Sequence, residues 1–332
     1  MKVTVKHVAE RVGCSPSLVY FYLNHPGTTR VAAATRKKID EAVRELDYRP
    51  NLPASILKNG SGRIIGVMID TEAPDLVKKI LTFLEQEITG RGFYLQVGMF
   101  HNNFESLCSS YFLLKQFGAR GVICLSHDYP EFRAELDAFF AEHADIVFYN
   151  GPSRPGHPLL EVDLPEGIAR LWEHLMQRGM SRLMLCLKDG CTESFGIQRR
   201  VSGYRRVVQK KCLPICCFDP SLPLHRNFAE TLLPLLEAEK PQAVLFSNDG
   251  VALSAMQFLQ VNGIKIPEEL SIIGFDNDAQ GENSTPALTT IAVDIPAAAK
   301  QLTDLLFEQL EHNNPPRCPV ISPKLFFRGS CR

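Results

Sequence analysis

The sequence predicts two kinds of structure in one chain: a small all-α domain of the helix-turn-helix class, then a larger α/β region of two lobes with doubly wound parallel sheets. Residues 1–50 carry apolar residues at helical spacing around a glycine turn. After residue 63, short apolar runs alternate with helix-length amphipathic segments, the pattern of parallel strands covered on both faces. The number of runs suits two lobes better than one sheet.

Three helices are predicted in the first 50 residues. The first ends at Gly13, because glycine readily adopts the left-handed conformation that ends a helix. Ser15 is a favourable N-cap for the second helix, and Pro16 follows at the first helical position, where its missing N–H costs nothing. The third helix ends before Pro50, which cannot continue it. The three apolar faces consist of Val5, Val8, Ala9 and Val12; Val19 and Leu23; and Ile39, Ala42, Val43 and Leu46.

Charge is divided unevenly along the chain. Residues 1–63 contain eleven Lys and Arg against five Asp and Glu, a net charge of +6, whereas the whole chain stands at −1 and the remainder therefore at −7. A positive N-terminal domain attached to an acidic remainder indicates a module that binds nucleic-acid phosphates and a second module that does not.

The overall composition, 45% hydrophobic and 22% charged, is that of an ordinary globular protein. No signal peptide and no apolar stretch of membrane-spanning length is recognised, so we expect a cytoplasmic protein with no membrane partner. The ten cysteines are scattered, several of them within apolar runs, and are interpreted as reduced thiols. No C-x-x-C pair or zinc-type spacing occurs, so no metal site is expected.

The N-terminal pattern resembles that of bacterial repressors of the lactose-repressor (LacI/GalR) family. The resemblance extends over nearly the whole chain. Its most specific residues are Val8-Ala9, Gly13-Cys14-Ser15, Val19, Leu23-Asn24, Thr35-Arg36, Ile39 and Tyr48-Arg49-Pro50-Asn51.

The resemblance implies a domain organisation and partners. Residues 1–50 form the DNA-binding domain, 51–62 a hinge, and 63–332 an effector-binding and dimerisation domain like a periplasmic binding protein. We expect lobe 1 to comprise 63–161 and 293–322, and lobe 2 to comprise 162–291 and 323–332. A homodimer would bind a pseudo-palindromic operator in double-stranded DNA, and a small polar effector, a sugar or sugar derivative, would lie between the lobes and regulate carbohydrate-metabolism genes.

The second helix departs from the family at the positions that read bases. Phe21 stands where an arginine is usual, and it can contact a thymine methyl but cannot form a bidentate pair with guanine. Alternatively, Phe21 and Tyr22 are buried core residues. The candidate DNA contacts in this domain are Thr4, Ser15, Pro16, Ser17, Tyr20, Phe21, Arg30, Thr35 and Arg36.

Residues 51–58 match the family's hinge, which folds into a helix on DNA. By position, Leu57 is the residue that enters the minor groove between base pairs, Ala54 lets two hinges approach closely, and Asn51 begins the segment. Pro53 and Ser55 depart from the usual pattern. The alternative is a plain flexible linker over this polar segment.

The effector site is expected at the carboxyl ends of the predicted strands, where open α/β sheets bind ligands. Arg200 and Asp276 match the family's arginine and acidic ligand-binding residues, and Asp70, Asn150 and Asn248 are further candidates. The alternatives are an Arg200–Asp276 ion pair and helix caps at Asn248 and Asp249. The predicted strands are residues 64–69, 95–99, 122–125, 146–149, 183–187, 215–218, 244–246 and 272–275.

One departure weakens the assignment of a sugar. Residues 74–77 read Pro-Asp-Leu-Val where relatives carry aromatic residues that stack on sugar rings. Phe104, Tyr129 or Trp172 could supply such a platform instead.

The sequence leaves two other functional classes to compare with a regulator. A dinucleotide-dependent enzyme is disfavoured, because Gly60-Ser61-Gly62 precedes a strand instead of following one and no P-loop, H-E-x-x-H or G-x-S-x-G motif occurs. We therefore expect no catalytic residues and no cofactor. The second class is a small-molecule-binding protein whose DNA-binding head is degenerate or non-specific, which the aromatic second helix favours.

Overall fold

The structure is a computed structural model that describes residues 3–24, 28–48, 63–188, 193–209, 213–312 and 315–332. The N-terminal domain contains the three predicted helices, α1 (Val5–Val12), α2 (Pro16–Asn24) and α3 (Ala33–Glu45). Gly13 has φ 75° and ends α1, so the glycine turn has the predicted left-handed conformation. The core of this domain contains Val8, Ala9, Val19, Ile39 and Ala42.

The first lobe is a six-stranded parallel sheet in the order β11-β5-β4-β3-β1-β2. Its helices lie on both faces. Its elements from the first part of the chain are β1 (Ile64–Asp70), α4 (Asp75–Gly90), β2 (Tyr94–Phe100), α5 (Phe104–Gln116), β3 (Ala119–Cys124), a 3₁₀ turn (Pro130–Phe132), α6 (Arg133–Ala141), β4 (Ile146–Tyr149) and β5 (Leu159–Val162). Two later elements complete it, α13 (Ile295–His312) and β11 (Val320–Ile321).

The second lobe is a six-stranded sheet in the order β12-β10-β9-β8-β6-β7, parallel except for β12, which pairs with β10 in the antiparallel sense. Its elements are α7 (Leu164–Gln177), β6 (Leu183–Leu187), α8 (Phe195–Val208), β7 (Cys216–Cys217), α9 (Leu224–Asn227), a π turn (Phe228–Leu232), α10 (Leu233–Glu239), β8 (Ala243–Phe246), α11 (Asp249–Val261), β9 (Ser271–Phe275), α12 (Ala279–Glu282), β10 (Thr289–Ala292) and β12 (Lys324–Phe326).

The chain crosses between the lobes between β5 and α7, between β10 and α13, and between β11 and β12. These crossings bring the carboxyl ends of the two sheets to opposite sides of one cleft, because β1, β3 and β4 end on one side and β6, β8 and β9 on the other.

Every apolar run predicted as a strand is a strand in the structure, but β5, β10, β11 and β12 were not predicted. Strand β10 begins with Thr289 and Thr290, which are polar yet fully buried. Their hydroxyls donate to the carbonyl of Arg328 and the carboxylate of Asp249, which satisfies them in the interior. The strand therefore lacks the continuous apolar run on which the prediction depended.

The eight cysteines among the described residues form no disulfide with one another; Cys191 and Cys212 lie outside that part of the chain. None of the described helices is both long and apolar enough to cross a membrane. The described residues contain no group of His, Cys, Asp and Glu arranged to hold a metal ion.

Candidate functional site

Helix α2 has two faces with different roles. Val19, Tyr22 and Leu23 face the core of the N-terminal domain, and the Tyr22 hydroxyl also donates to both carboxylate oxygens of Asp40, at 3.0 and 2.9 Å. Tyr22 is thus held against α3, as the core alternative supposed for this residue.

The opposite face of α2 carries the residues proposed to read bases. Pro16 and Ser17 are exposed, Tyr20 and Phe21 are half-buried, and the described core does not include any of the four. Ser15 has a structural role as well, because its hydroxyl accepts a hydrogen bond from the Leu18 amide at 3.2 Å at the start of the helix.

The other predicted DNA contacts are spread around the same domain. Thr4 and Arg30 are exposed, while Thr35 and Arg36 lie half-buried in the first turn of α3. Arg36 has a buried Nε with no hydrogen-bond partner, and its charge acts to lower the pKa of Tyr22, which places it near α2. Asn51, Ala54 and Leu57 lie outside the described residues.

The second candidate site is a cleft between the lobes with a volume of about 420 Å³. All five predicted effector residues line it: Asp70, Asn150, Arg200, Asn248 and Asp276. They come from both lobes and lie at or near the ends of strands or on helix α8.

Arg200 lies on α8 and lines the cleft. One terminal nitrogen donates to the carbonyl of Gly196 at 3.2 Å, and the guanidinium lies 4.7 Å from the centre of the Phe275 ring. Its Nε is buried and lacks a partner. No ion pair joins it to Asp276 in the described part of the chain, although the Asp276 carboxylate acts to raise the pKa of Arg200 against the effect of burial. A buried donor without a partner is costly.

Asp276 is held in an unusual backbone conformation immediately after β9. Asp276 has φ 103° and Asn277 has φ 55°, two consecutive residues in a region that side chains rarely adopt. Burial raises the pKa of Asp276 to about 6, although the charge of Arg200 opposes this shift. The carboxyl group can therefore accept or donate hydrogen bonds near neutral pH.

A buried carboxylate beneath this loop supports its conformation. Asp249 accepts hydrogen bonds from the Thr290 hydroxyl and the Asp278 amide, each at 2.7 Å, and burial raises its pKa to about 7. A Cβ atom at Gly274 would stand only 2.1 Å from the Asp249 carboxylate. The first residue of α11 thus fixes the loop that carries Asp276.

Three of the predicted effector residues already have partners within the protein. Asp70 accepts hydrogen bonds from the Tyr129 hydroxyl and, at 2.8 Å, from the Glu72 amide. The Asn150 side chain accepts one from the Val162 amide at 3.3 Å. The Asn248 side chain caps α11 by accepting from the Val251 amide at 2.9 Å, as the cap alternative supposed. These residues border the cleft and also maintain its shape.

Tyr129 is the only one of the three proposed aromatic platforms that borders the cleft in the described structure. Its ring stacks on Phe132 at 5.0 Å between centres, and its hydroxyl donates a hydrogen bond to the Asp70 carboxylate. Phe104 and Trp172 pack against the hydrophobic cores.

His127 forms part of the cleft wall and is held neutral. Burial and the adjacent Arg154 charge lower its pKa well below the ordinary value. Arg154 is itself buried between the Phe140 and Phe148 rings, at 4.9 and 5.0 Å, and pairs with Asp137 at 3.1 Å. This cluster braces the wall that carries Ser126 and Asp128.

Asp128 and Lys79 make contacts that join the lobes beside the cleft. Asp128, which follows β3 in lobe 1, accepts a hydrogen bond from the Phe195 amide at the first residue of α8, at 2.6 Å. Lys79 of α4 pairs with Asp278 of lobe 2 at 2.5 Å. Both contacts favour a closed arrangement of the lobes.

Several cleft residues were missed in the sequence. Ser126, His127 and Asp128 follow β3, Lys188 follows β6, and Ser247 follows β8. The strand-end rule applies to each of them and would have identified them if it had been applied to every strand. The described lining also contains more acids than bases, Asp70, Glu72, Asp128 and Asp276 against Lys188 and Arg200.

Comparison with known proteins gives two family matches. Residues 4–51 match the bacterial regulatory proteins of the lacI family, and residues 172–331 match the periplasmic binding protein-like domain. Among curated proteins, the chain is 29% identical to the HTH-type transcriptional repressor PurR of Vibrio parahaemolyticus, over 99% of this chain and 98% of that protein. It is 27% identical to the sucrose operon repressor of Streptococcus mutans, over 96% of both chains.

Solved structures show the same fold. The Lac repressor bound to ONPG superimposes with a TM-score of 0.82 at 22% identity, over 99% of this chain and 100% of that chain. The transcriptional regulator CelR in complex with cellobiose gives a TM-score of 0.67 at 19% identity, over 99% of each chain. The helix-turn-helix domain, the two-lobed α/β region and the relatives matched over nearly their full length agree: the chain belongs to the lacI family of bacterial DNA-binding transcriptional regulators.

Proposed function

We propose that the protein is a repressor that binds a pseudo-palindromic operator as a homodimer and changes its affinity for DNA when a small polar effector occupies the cleft between its lobes. The observation that carries this proposal is that Arg200 and Asp276 meet in a cleft whose walls come from both lobes. A ligand that bridges the walls binds the closed arrangement better than an open one, and it therefore shifts the balance between them.

The effector is an uncharged polar molecule, and a sugar fits best. The excess of carboxylates around the cleft disfavours phosphorylated or carboxylated ligands, while Arg200 and Asp276 supply a donor and an acceptor for hydroxyl groups. A sucrose operon repressor and a regulator solved with cellobiose are among the proteins that this chain resembles, which supports regulation of carbohydrate-metabolism genes.

The DNA-binding half of the proposal involves α2 and the segment that follows α3. The exposed face of α2 enters the major groove, Arg30, Thr35 and Arg36 contact phosphates, and Leu57 of a paired hinge enters the minor groove at the operator centre. Such a regulator acts on the chromosome, in the cytoplasm.

The dimer forms through the edge of lobe 1. Strand β2 is the last strand of its sheet, and three of its large apolar side chains are exposed: Tyr94 by 56%, Val97 by 41% and Met99 by 61%. An exposed edge strand with an apolar surface favours association, and a second copy of the chain would bury it.

The experiment that tests the proposal is recovery of bound fragments from sheared DNA of the source organism by the full-length protein, followed by sequencing. We expect enrichment of a pseudo-palindrome with half-sites about one helical turn apart, as a symmetric dimer requires. Salt-sensitive binding without an enriched sequence, both with and without a pool of cellular metabolites, would instead favour a small-molecule-binding protein with a non-specific DNA-binding head.

A further inference from the structure

The base-reading face of α2 is narrow and well defined. Successive helical residues are about 100° apart, so Pro16, Ser17, Tyr20 and Phe21 fall within an arc of about 140°. Val19 of the same helix is fully buried, and it faces the core together with Tyr22 and Leu23. The arc of four residues is therefore the part of α2 that a DNA groove can contact.

The chemistry of this face is unusual for a DNA reader. Residues 16–23 contain no Arg, Lys, Asn or Gln, the side chains that form bidentate pairs with guanine or adenine in the major groove. Ser17 and Tyr20 offer hydroxyl groups, which bond to several bases without strong discrimination. Pro16 and Phe21 offer only apolar surface.

One base-edge group in the major groove is apolar, the C5-methyl of thymine. We infer that α2 recognises its operator through thymine methyl groups, chiefly by contact with Phe21, so that the pairs opposite this residue are A·T with thymine in a fixed strand. This inference rests on the proposed function, because it assumes that α2 lies in the major groove. Phe21 suits the role because it lies on the arc and its side chain is partly exposed.

The expected loss of affinity for an operator that lacks one thymine methyl group follows from the apolar area that the methyl group buries. Removing one buried methyl or methylene group costs about a fourfold change in an equilibrium constant. Deoxyuridine differs from thymidine only by this methyl group and keeps the same base pairing. Replacing dT by dU thus isolates the contact.

The test begins with selection of an operator from randomised duplex DNA by the full-length protein. Each enriched thymine is then replaced by dU, and the Kd is measured at constant salt. We expect at least one position in each half-site at which dU weakens binding by about fourfold. Phe21→Ala should weaken binding to the dT operator and remove the difference between dT and dU at that position.

Ser17→Ala is the matched control, since it changes the same face but keeps the apolar ring, and it should retain the difference between dT and dU. Thermal unfolding confirms that both variants are folded, and Phe21→Leu, which keeps an apolar side chain, should retain part of the difference. An enriched operator without any dU effect overturns this inference but leaves the proposed function standing. A dU effect that persists in Phe21→Ala removes Phe21 from the readout, and the absence of any enriched sequence overturns both proposals.

Discussion

At the scale of single residues, the proposed ligand binding in the cleft depends on Arg200 and Asp276. The surroundings of the two side chains give them different hydrogen-bonding properties. Arg200 lines the cleft with a guanidinium group whose Nε is buried and has no hydrogen-bond partner. Asp276 brings a carboxyl group whose pKa of about 6 allows two protonation states near neutral pH. Together they can bind a hydroxyl group as donor or as acceptor.

Arg200→Ala should abolish ligand binding and leave DNA binding intact, because Arg200 lies in the cleft and not in the N-terminal domain. The measurement is the rise in Tm on adding neutral monosaccharides, using the compound that gives the largest rise with the unmodified protein. Arg205→Ala is the control, since Arg205 is exposed on the same helix and does not line the cleft. A full rise in Tm for Arg200→Ala would move the site elsewhere.

The burial of Asp249 predicts how the stability of the fold depends on pH. Burial raises the pKa of Asp249 to about 7, well above the value of about 3.9 for an unfolded chain. The folded state therefore holds this proton more tightly, and the stability so gained is complete below about pH 4 and is lost as the pH rises through 7. In Asp249→Asn the buried charge cannot form, so the variant does not lose this stability as the pH rises. The free energy of unfolding of the variant minus that of the unmodified protein should therefore increase between about pH 5 and about pH 8.

Urea unfolding at the two pH values measures this difference. Asp75→Asn is the control, because the Asp75 side chain is 75% exposed and pairs only weakly with its neighbour Lys78. Equal pH dependence for Asp249→Asn and the unmodified protein would show that Asp249 does not titrate in this range.

At the scale of elements, α8 carries a residue of the proposed effector site and also contacts the opposite lobe. It carries Arg200, and its first amide is bound by Asp128 from the opposite lobe. The N-terminus of a helix carries partial positive charge, which stabilises a carboxylate placed there. Under the proposed function, movement of α8 would couple ligand binding to closure of the cleft.

Asp128→Ala should shift the lobes toward an open arrangement, because it removes a hydrogen bond that joins them beside the cleft. We expect a larger radius of gyration in small-angle X-ray scattering and a Kd for the ligand raised by roughly 2- to 12-fold, the net worth of one typical hydrogen bond. Glu131→Ala changes an exposed acid in the same segment and should alter neither quantity. An unchanged radius and an unchanged Kd for Asp128→Ala would mean that this contact does not control closure.

Elements with a strong local pattern could be predicted from the sequence, and those maintained by distant contacts could not. The helix-turn-helix depends on Gly13, Ser15 and Pro16, whose conformational preferences act within a few residues. Strand β10 was not predicted because it contains the polar residue Thr290 in place of a continuous apolar run. Thr290 is tolerated in the interior because its hydroxyl donates a hydrogen bond to Asp249, 41 positions away.

The candidate site shows the same division. The ends of apolar runs indicated Asp70, Asn150 and Asp276, but the support from Asp249 and the contact between Asp128 and α8 depend on the packing of the two lobes. No local pattern in the sequence predicts these contacts.

At the scale of the whole molecule, the distribution of charge separates the proposed DNA-binding region from the proposed effector-binding region. The N-terminal 63 residues have a net charge of +6 and the remainder −7, so phosphates are attracted to one end of the chain and repelled by the other. Because the chain crosses between the lobes three times, their closure is a collective movement. The proposed dimer edge at β2 adjoins α4, which carries Lys79, so closure can act on the dimer and through it on the paired DNA-binding domains.

The most informative experiment measures how effector binding changes the affinity for the operator, and how operator binding changes the affinity for the effector. The operator is the enriched pseudo-palindrome, and the effector is the neutral compound that gives the largest rise in Tm. We expect saturating effector to change the Kd for the operator by a factor of roughly 5 to 150, and saturating operator to change the Kd for the effector by the same factor, as linkage requires. If tight effector binding in the cleft left the Kd for the operator unchanged, the central claim that the cleft regulates DNA binding would be contradicted.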